Sequence, residues 1–140
     1  MLLIGMEHND MGLDMRDFER YAKEFESLKS EFESFLKNWI VKQAGILILK
    51  TKQRTPVDTG NLRNSWQIGK YNRQNQKAQI EINNNAEYAS FVEYGTPARQ
   101  NWKWADGAKM LTKSLYEMEQ SMPIDFDEAF TSFLKSRGIL

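Results

Sequence analysis

Between Asp14 and Leu49 the apolar side chains fall on one stripe. Phe18, Tyr21, Phe25, Leu28, Phe32, Phe35 and Trp39 recur at spacings of three and four, and Ile46 and Leu49 continue the series. That is the period of an amphipathic helix, with charged residues on the flanks. No glycine interrupts residues 13–44 and no proline precedes Pro56. The pattern therefore predicts one long helix over 13–54, either continuous or broken near Ser27–Ser30 or Gly45, after a flexible segment at 1–12. Aromatics fill the stripe where a coiled-coil seam would carry leucine and isoleucine, which favours packing on a sheet within the core.

Beyond the helix the period changes. Pro56 disfavours helical geometry at Thr55 and has no N–H to donate, so the helix must stop there. In the stretch Thr55-Pro-Val-Asp-Thr-Gly60, Asp58 can accept backbone N–H bonds and Gly60 can take positive φ, which reads as a turn. Trp66 and Ile68, then Ala78, Ile80 and Ile82, alternate with polar residues, the signature of two antiparallel strands. The polar connector Asn72–Lys77 reads as a protruding hairpin loop. Asn83–Asn85 marks a turn, and Ala86–Tyr94 fits a short helix closed by Gly95 better than a strand, because Phe91 and Val92 are adjacent. Residues 97–107 read as a loop leading into a further strand. One C-terminal helix, or two short ones, then carries Met110, Leu111, Leu115 and Met118 before Pro123 and Phe126, Phe130, Phe133 and Leu134 after it, with Gly138 capping the end. The expected fold is α+β in a single domain over 1–140. A long N-terminal helix packs on a small antiparallel sheet spanning 55–110 with its short helix, and C-terminal helices occupy 108–137.

Composition narrows the function. At 140 residues, 41% hydrophobic and 27% charged, the chain has the profile of one globular domain. With 19 basic and 19 acidic residues it carries no overall field toward nucleic acid or an anionic membrane, so proteins are the expected partners. The absence of cysteine removes disulfides and thiolate chemistry and fits a reducing compartment such as the cytosol. The apolar runs Met1–Met6 and Ile46–Leu49 are too short to span a membrane, and no secretory signal pattern is present, so a soluble protein is expected. The charge is nevertheless segregated. Residues 1–36 hold nine acidic and four basic groups, 37–113 five acidic and thirteen basic, and 114–140 five acidic and two basic. Such blocks either are solvated faces or orient neighbouring subunits.

Catalytic constellations are hard to assemble. The single histidine, His8, lies in the N-terminal segment, so neither a histidine-based triad nor a His-rich zinc site can form. The eight glycines are dispersed and make no phosphate-binding loop. The pairs Asp125/Asp127 and Glu24/Glu26 would face apart on a helix and read as helix surface. No cofactor, metal or catalytic residue is assigned. Lys70, Arg73 and Lys77 with Trp102 and Trp104 leave single-stranded nucleic-acid binding as an alternative, against solubilising cations and partly buried aromatic anchors.

Two segments carry a family resemblance: Thr55-Pro56-Val57-Asp58-Thr59-Gly60-Asn61-Leu62-Arg63-Asn64-Ser65 and Tyr88-Ala89-Ser90-Phe91-Val92-Glu93-Tyr94-Gly95-Thr96. In order and spacing they resemble the tail-component family of tailed bacteriophages, which serve as head-to-tail joining, neck or tail-completion proteins. The similarity runs over residues 45–120, includes the Trp-x-x-Gly-x-x-Met-Leu stretch at Trp104–Leu111, and departs from many relatives in a shortened Pro97–Lys103 segment. What the resemblance implies is a non-enzymatic virion protein. It would form a ring of its own copies at the neck, dock between head connector or adaptor and tail tube or terminator near the packaged DNA, and assemble in the cytoplasm of the host bacterium. Within the motifs, Pro56, Asp58 and Gly60 are expected as turn formers and Leu62, Tyr88 and Val92 as core or interface anchors. Glu93 is expected to bond the backbone of the Asp58–Gly60 turn and so tie the motifs together. Assembly contacts are expected on the hairpin, at Lys70, Asn72, Arg73 and Lys77, and on the adjoining sheet, rather than on motif residues such as Thr59, Ser65, Ala89, Gly95 and Thr96.

Overall fold

The computed structural model describes residues 15–57, 59–74, 76–96 and 105–140; the expected flexible segment 1–12, with His8, lies outside them. Helix α1 spans Met15–Arg54 without a break at Ser27–Ser30 or at Gly45. Its 40 residues make a rod of about 60 Å. It stops where Pro56 requires. In its last turns the Thr51 and Thr55 hydroxyls donate to carbonyls four residues back, at 2.7 Å each, so both threonines are buried with their hydroxyl groups satisfied.

A one-turn helix, α2 (Asn61–Asn64), follows where only a turn was expected. Strands β1 (Trp66–Gln74) and β2 (Lys77–Asn84) then form an antiparallel hairpin. The expected loop at Asn72–Lys77 is a correction. Asn72 pairs with Gln79, Arg73 with Ala78 and Gln74 with Lys77, so the ladder runs to a tight turn with Gln76 at φ 66°. Ladder hydrogen bonds need no apolar side chain, which is why polar residues continue both strands. Helix α3 (Ala89–Tyr94) leads into β3 (Gly95–Thr96), which pairs antiparallel with β4 (Ala105–Asp106). Helix α4 (Met110–Ser136) closes the fold. It is one helix, passing through Pro123. An interior proline costs about 3 kcal/mol, offset by the packing of Met118 on one side of it and three phenylalanines on the other.

The architecture is α+β, with two cores along α1. At the C-terminal end of α1, Leu62, Trp66 and Met110 form a buried cluster flanked by Ile48, Ile82 and Val92. The Trp66 indole N–H donates to Thr55 Oγ1 at 3.0 Å, giving the buried ring its polar partner. Further along, the aromatic stripe packs helix on helix, which corrects the expectation that it lies on the sheet. Phe32, Phe35 and Trp39 interleave with Phe126, Phe130 and Phe133 of α4; Phe35 stacks on Phe133 at 4.9 Å and Trp39 meets Phe126 edge-on at 5.0 Å. Two aromatic stripes of the same helical period bury each other more completely than either would on two strands. The hairpin lies along another part of α1, fixed by the Arg73–Glu33 ion pair at 3.0 Å and by Lys37 over the Tyr71 ring. On α4, Met110, Ser114 and Met118 are buried and Leu115 faces solvent.

Glu117 joins the two long helices, accepting from Lys50 at 2.7 Å and from Arg54. The Lys50 bond first, and then the Arg54 bond, hold its carboxyl at about 2 against an ordinary 4.5. A depressed folded-state pKa gives stability that is complete above the ordinary value and is lost as pH falls from 4.5 through about 2. Glu117→Gln is therefore expected to flatten the acid limb of a Tm-against-pH profile in that window and leave its shape near neutrality unchanged.

Candidate functional site

The two motif segments meet on one face at the C-terminal end of α1. Arg54 ends the helix, Pro56 and Val57 lead away exposed, and Gly60 takes φ 85° to start α2, the left-handed turn expected of it. Thr59 Oγ1 accepts from Asn61 N–H at 3.3 Å, and the Ser65 hydroxyl donates to Asn61 O at 2.6 Å, so both hydroxyls serve this local turn. Asp58 lies outside the described residues. From the second motif, Ala89 and Val92 pack half-buried on the core, and Tyr88 stays exposed. Gly95 and Thr96 form β3; the side chain of Thr96 lies outside the described residues.

Between the segments lies a shallow apolar depression of about 210 Å³, lined by Pro56, Val57, Thr59, Gly60, Leu62, Tyr88 and Val92. Leu62 is buried beneath it while Val57 and Tyr88 rise from it, and Phe91 and Tyr94 are also exposed on the second motif. Of the three expected anchors, Leu62 is core, Val92 lies between core and depression, and Tyr88 is surface. Tyr88 is the one aromatic side chain lining the depression, and exposed apolar surface of this kind is what protein contacts use.

Glu93 does something other than expected. The residue is 5% exposed, and its carboxylate points to the start of α4 rather than to the first motif. Leu111 N–H donates to it at 3.0 Å, Thr112 N–H at 2.8 Å and the Thr112 hydroxyl at 2.6 Å. Helix α4 has no capping side chain at Lys109, which sits at φ 49°. Glu93 therefore supplies the cap from another element, meeting orphan N–H groups and the positive end of the helix dipole together. Two backbone bonds complete the latch, Ala108 N–H to Val92 O at 2.7 Å and Lys109 N–H to Glu93 O at 3.1 Å. Gly107 permits this approach, since a Cβ there would lie 2.1 Å from Glu93 O. The tie between the motifs is made elsewhere. Asn84, one of the turn asparagines, donates from Nδ2 to Leu62 O at 2.8 Å and accepts from Ala86 N–H at 2.9 Å, joining α2 to the approach to α3.

The hairpin presents Lys70, Asn72 and Lys77 to solvent. Arg73 instead turns to α1, where Glu33 grips its guanidinium through both oxygens, so the expected assembly loop presents three of its four residues. Trp102 and Trp104 lie outside the described residues. Asp125, Asp127, Glu24 and Glu26 are exposed on helices. Among the described residues no group of His, Cys, Asp and Glu could hold a metal ion, and no helix is long and apolar enough to cross a membrane.

A family model described as "Bacteriophage HK97-gp10, putative tail-component" matches residues 19–95. The match takes in most of α1, both strands of the hairpin and the second motif as far as Gly95, and it ends before Trp104–Leu111. No curated protein and no solved structure matches the chain.

Proposed function

The chain belongs to the HK97-gp10-like family of bacteriophage tail components, and from that premise we propose that it is a neck subunit, completing the tail of a phage or prophage by joining it to the head. A tail component is a structural protein of the phage particle, and its contacts are with the particle's other proteins. Beyond this, the reading is that copies form a ring, without catalytic activity or a cofactor, and that the ring seats between the head connector or adaptor and the tail tube or terminator. Assembly would take place in the host cytoplasm. The observation that carries it is the apolar face where the two motifs meet: Val57 and Tyr88 are exposed at the depression, and Phe91 and Tyr94 are exposed on the same short helix α3. The segregated charge blocks support a head-to-tail arrangement, which needs two different faces on each subunit. Lys70, Asn72 and Lys77 on the hairpin are the polar contacts of the same reading, placed to approach a neighbouring subunit or the packaged DNA. The test is electron microscopy of lysates made without the gene, in which filled heads and finished tails should accumulate unjoined.

A further inference from the structure

The stripe that α4 covers does not end where α4 ends. The ion pairs Glu31–Arg137 and Glu33–Arg73 mark how far α4 and the hairpin reach along α1. Toward the N-terminus, every residue from Glu19 through Ser27 is exposed. Tyr21 and Phe25, at 47% and 61% exposure, stand in line with the half-buried aromatics Phe32 and Phe35, which pack on α4. A helical arm of four turns is only marginally stable alone in water, and its open apolar face continues a seam that is already a helix–helix interface.

The charges beside the seam select what covers it. With Phe25, Phe32 and Trp39 at one seam position and Tyr21, Leu28 and Phe35 at the other, Glu24 and Glu31 flank one edge and Ala22 and Lys29 the opposite edge. In an antiparallel pair, like edges face each other, so Glu24 would meet the acidic edge of the second helix. In a parallel pair each edge faces the opposite one five residues on, placing Glu24 against Lys29 of the neighbour. Glu31 is engaged by Arg137; among the described residues, Glu24 and Lys29 are in no ion pair within the subunit. Parallel arms gathered around an axis are also what a cyclic ring provides, since every subunit points the same way.

We propose that the occupant is a second copy of this chain: the N-terminal arms of α1, residues 15–30, associate in parallel and in register through Tyr21, Phe25 and Leu28, with Glu24 paired to Lys29 across the interface. This rests on the self-assembly part of the reading above and not on the position at the neck. The full chain contains no cysteine, so an engineered thiol reports register directly. Under copper–phenanthroline oxidation Tyr21→Cys should form a disulfide-linked dimer, because identical seam positions meet only in parallel register, whereas Glu26→Cys on the outer edge should not. Light scattering of the full chain should show a mass rising with concentration. Phe25→Gln should weaken that association about tenfold while leaving thermal unfolding unchanged at concentrations where the chain is monomeric. An oligomer that persists in Phe25→Gln with no Tyr21→Cys disulfide would overturn the arm pairing while leaving a ring intact. A chain that stays monomeric and uncross-linked at every concentration would also overturn it, and the lysates would still judge the neck reading separately.

Discussion

Replacing Glu93 with alanine is expected to destabilise the fold by about 3 kcal/mol. The loss is that of the helix cap: two N–H donors at the start of α4 are left without acceptors, each worth roughly 1–3 kcal/mol when water cannot replace the partner. Glu93→Gln keeps one carbonyl oxygen and should lose about half as much, and Thr112→Val, which deletes only the hydroxyl bond, about 1 kcal/mol. Urea titration checks the series: the midpoint should fall in that order with an unchanged slope, since the unfolded chain and the surface it exposes are the same. A midpoint in Glu93→Ala equal to that of the unaltered chain would mean that α4 does not depend on this cap.

Gly107→Ala should be as damaging or more so, by about 3–5 kcal/mol. Its Cβ would lie 2.1 Å from Glu93 O, 2.6 Å from Tyr94 C and 2.7 Å from Glu93 C. All three are backbone atoms, so no side-chain rotation relieves the overlap. Relief requires β4 to move away from the end of α3, which also breaks the bonds from Ala108 N–H and Lys109 N–H. Because both substitutions open the same latch, the double variant Glu93→Ala with Gly107→Ala should lose less than the sum of the two. Additive losses in the same denaturation measurement would show that latch and cap are independent.

Features encoded locally are legible in the sequence, and those that depend on distant partners are not. The end of α1 was legible because Pro56 acts locally, and the positive φ at Gly60 because glycine in a turn has few other uses. The strands were legible where Ile68, Ile80 and Ile82 alternate with polar residues. They were not legible at Asn72–Gln74, where pairing depends on ladder bonds and on Glu33, some forty residues earlier in the chain. Glu93 stood out as a carboxylate beside a glycine, yet its partner could not be read. Leu111 and Thr112, 18 and 19 positions later, donate to its carboxylate, and no local pattern encodes a contact over that separation. The aromatic stripes of α1 and α4 were each visible, and their mutual packing was not, because periodicity gives a helix a face without saying what the face meets.

The latch and cap tie α3 to the start of α4, and the role proposed for the protein so held is to join head to tail. Electron microscopy of lysates from phage lacking the chain tests it most directly. The expected result is DNA-filled heads and tails of normal length lying separate, with joined particles restored when the chain is supplied from a plasmid. Joined, infectious particles at the usual yield in its absence would contradict the account.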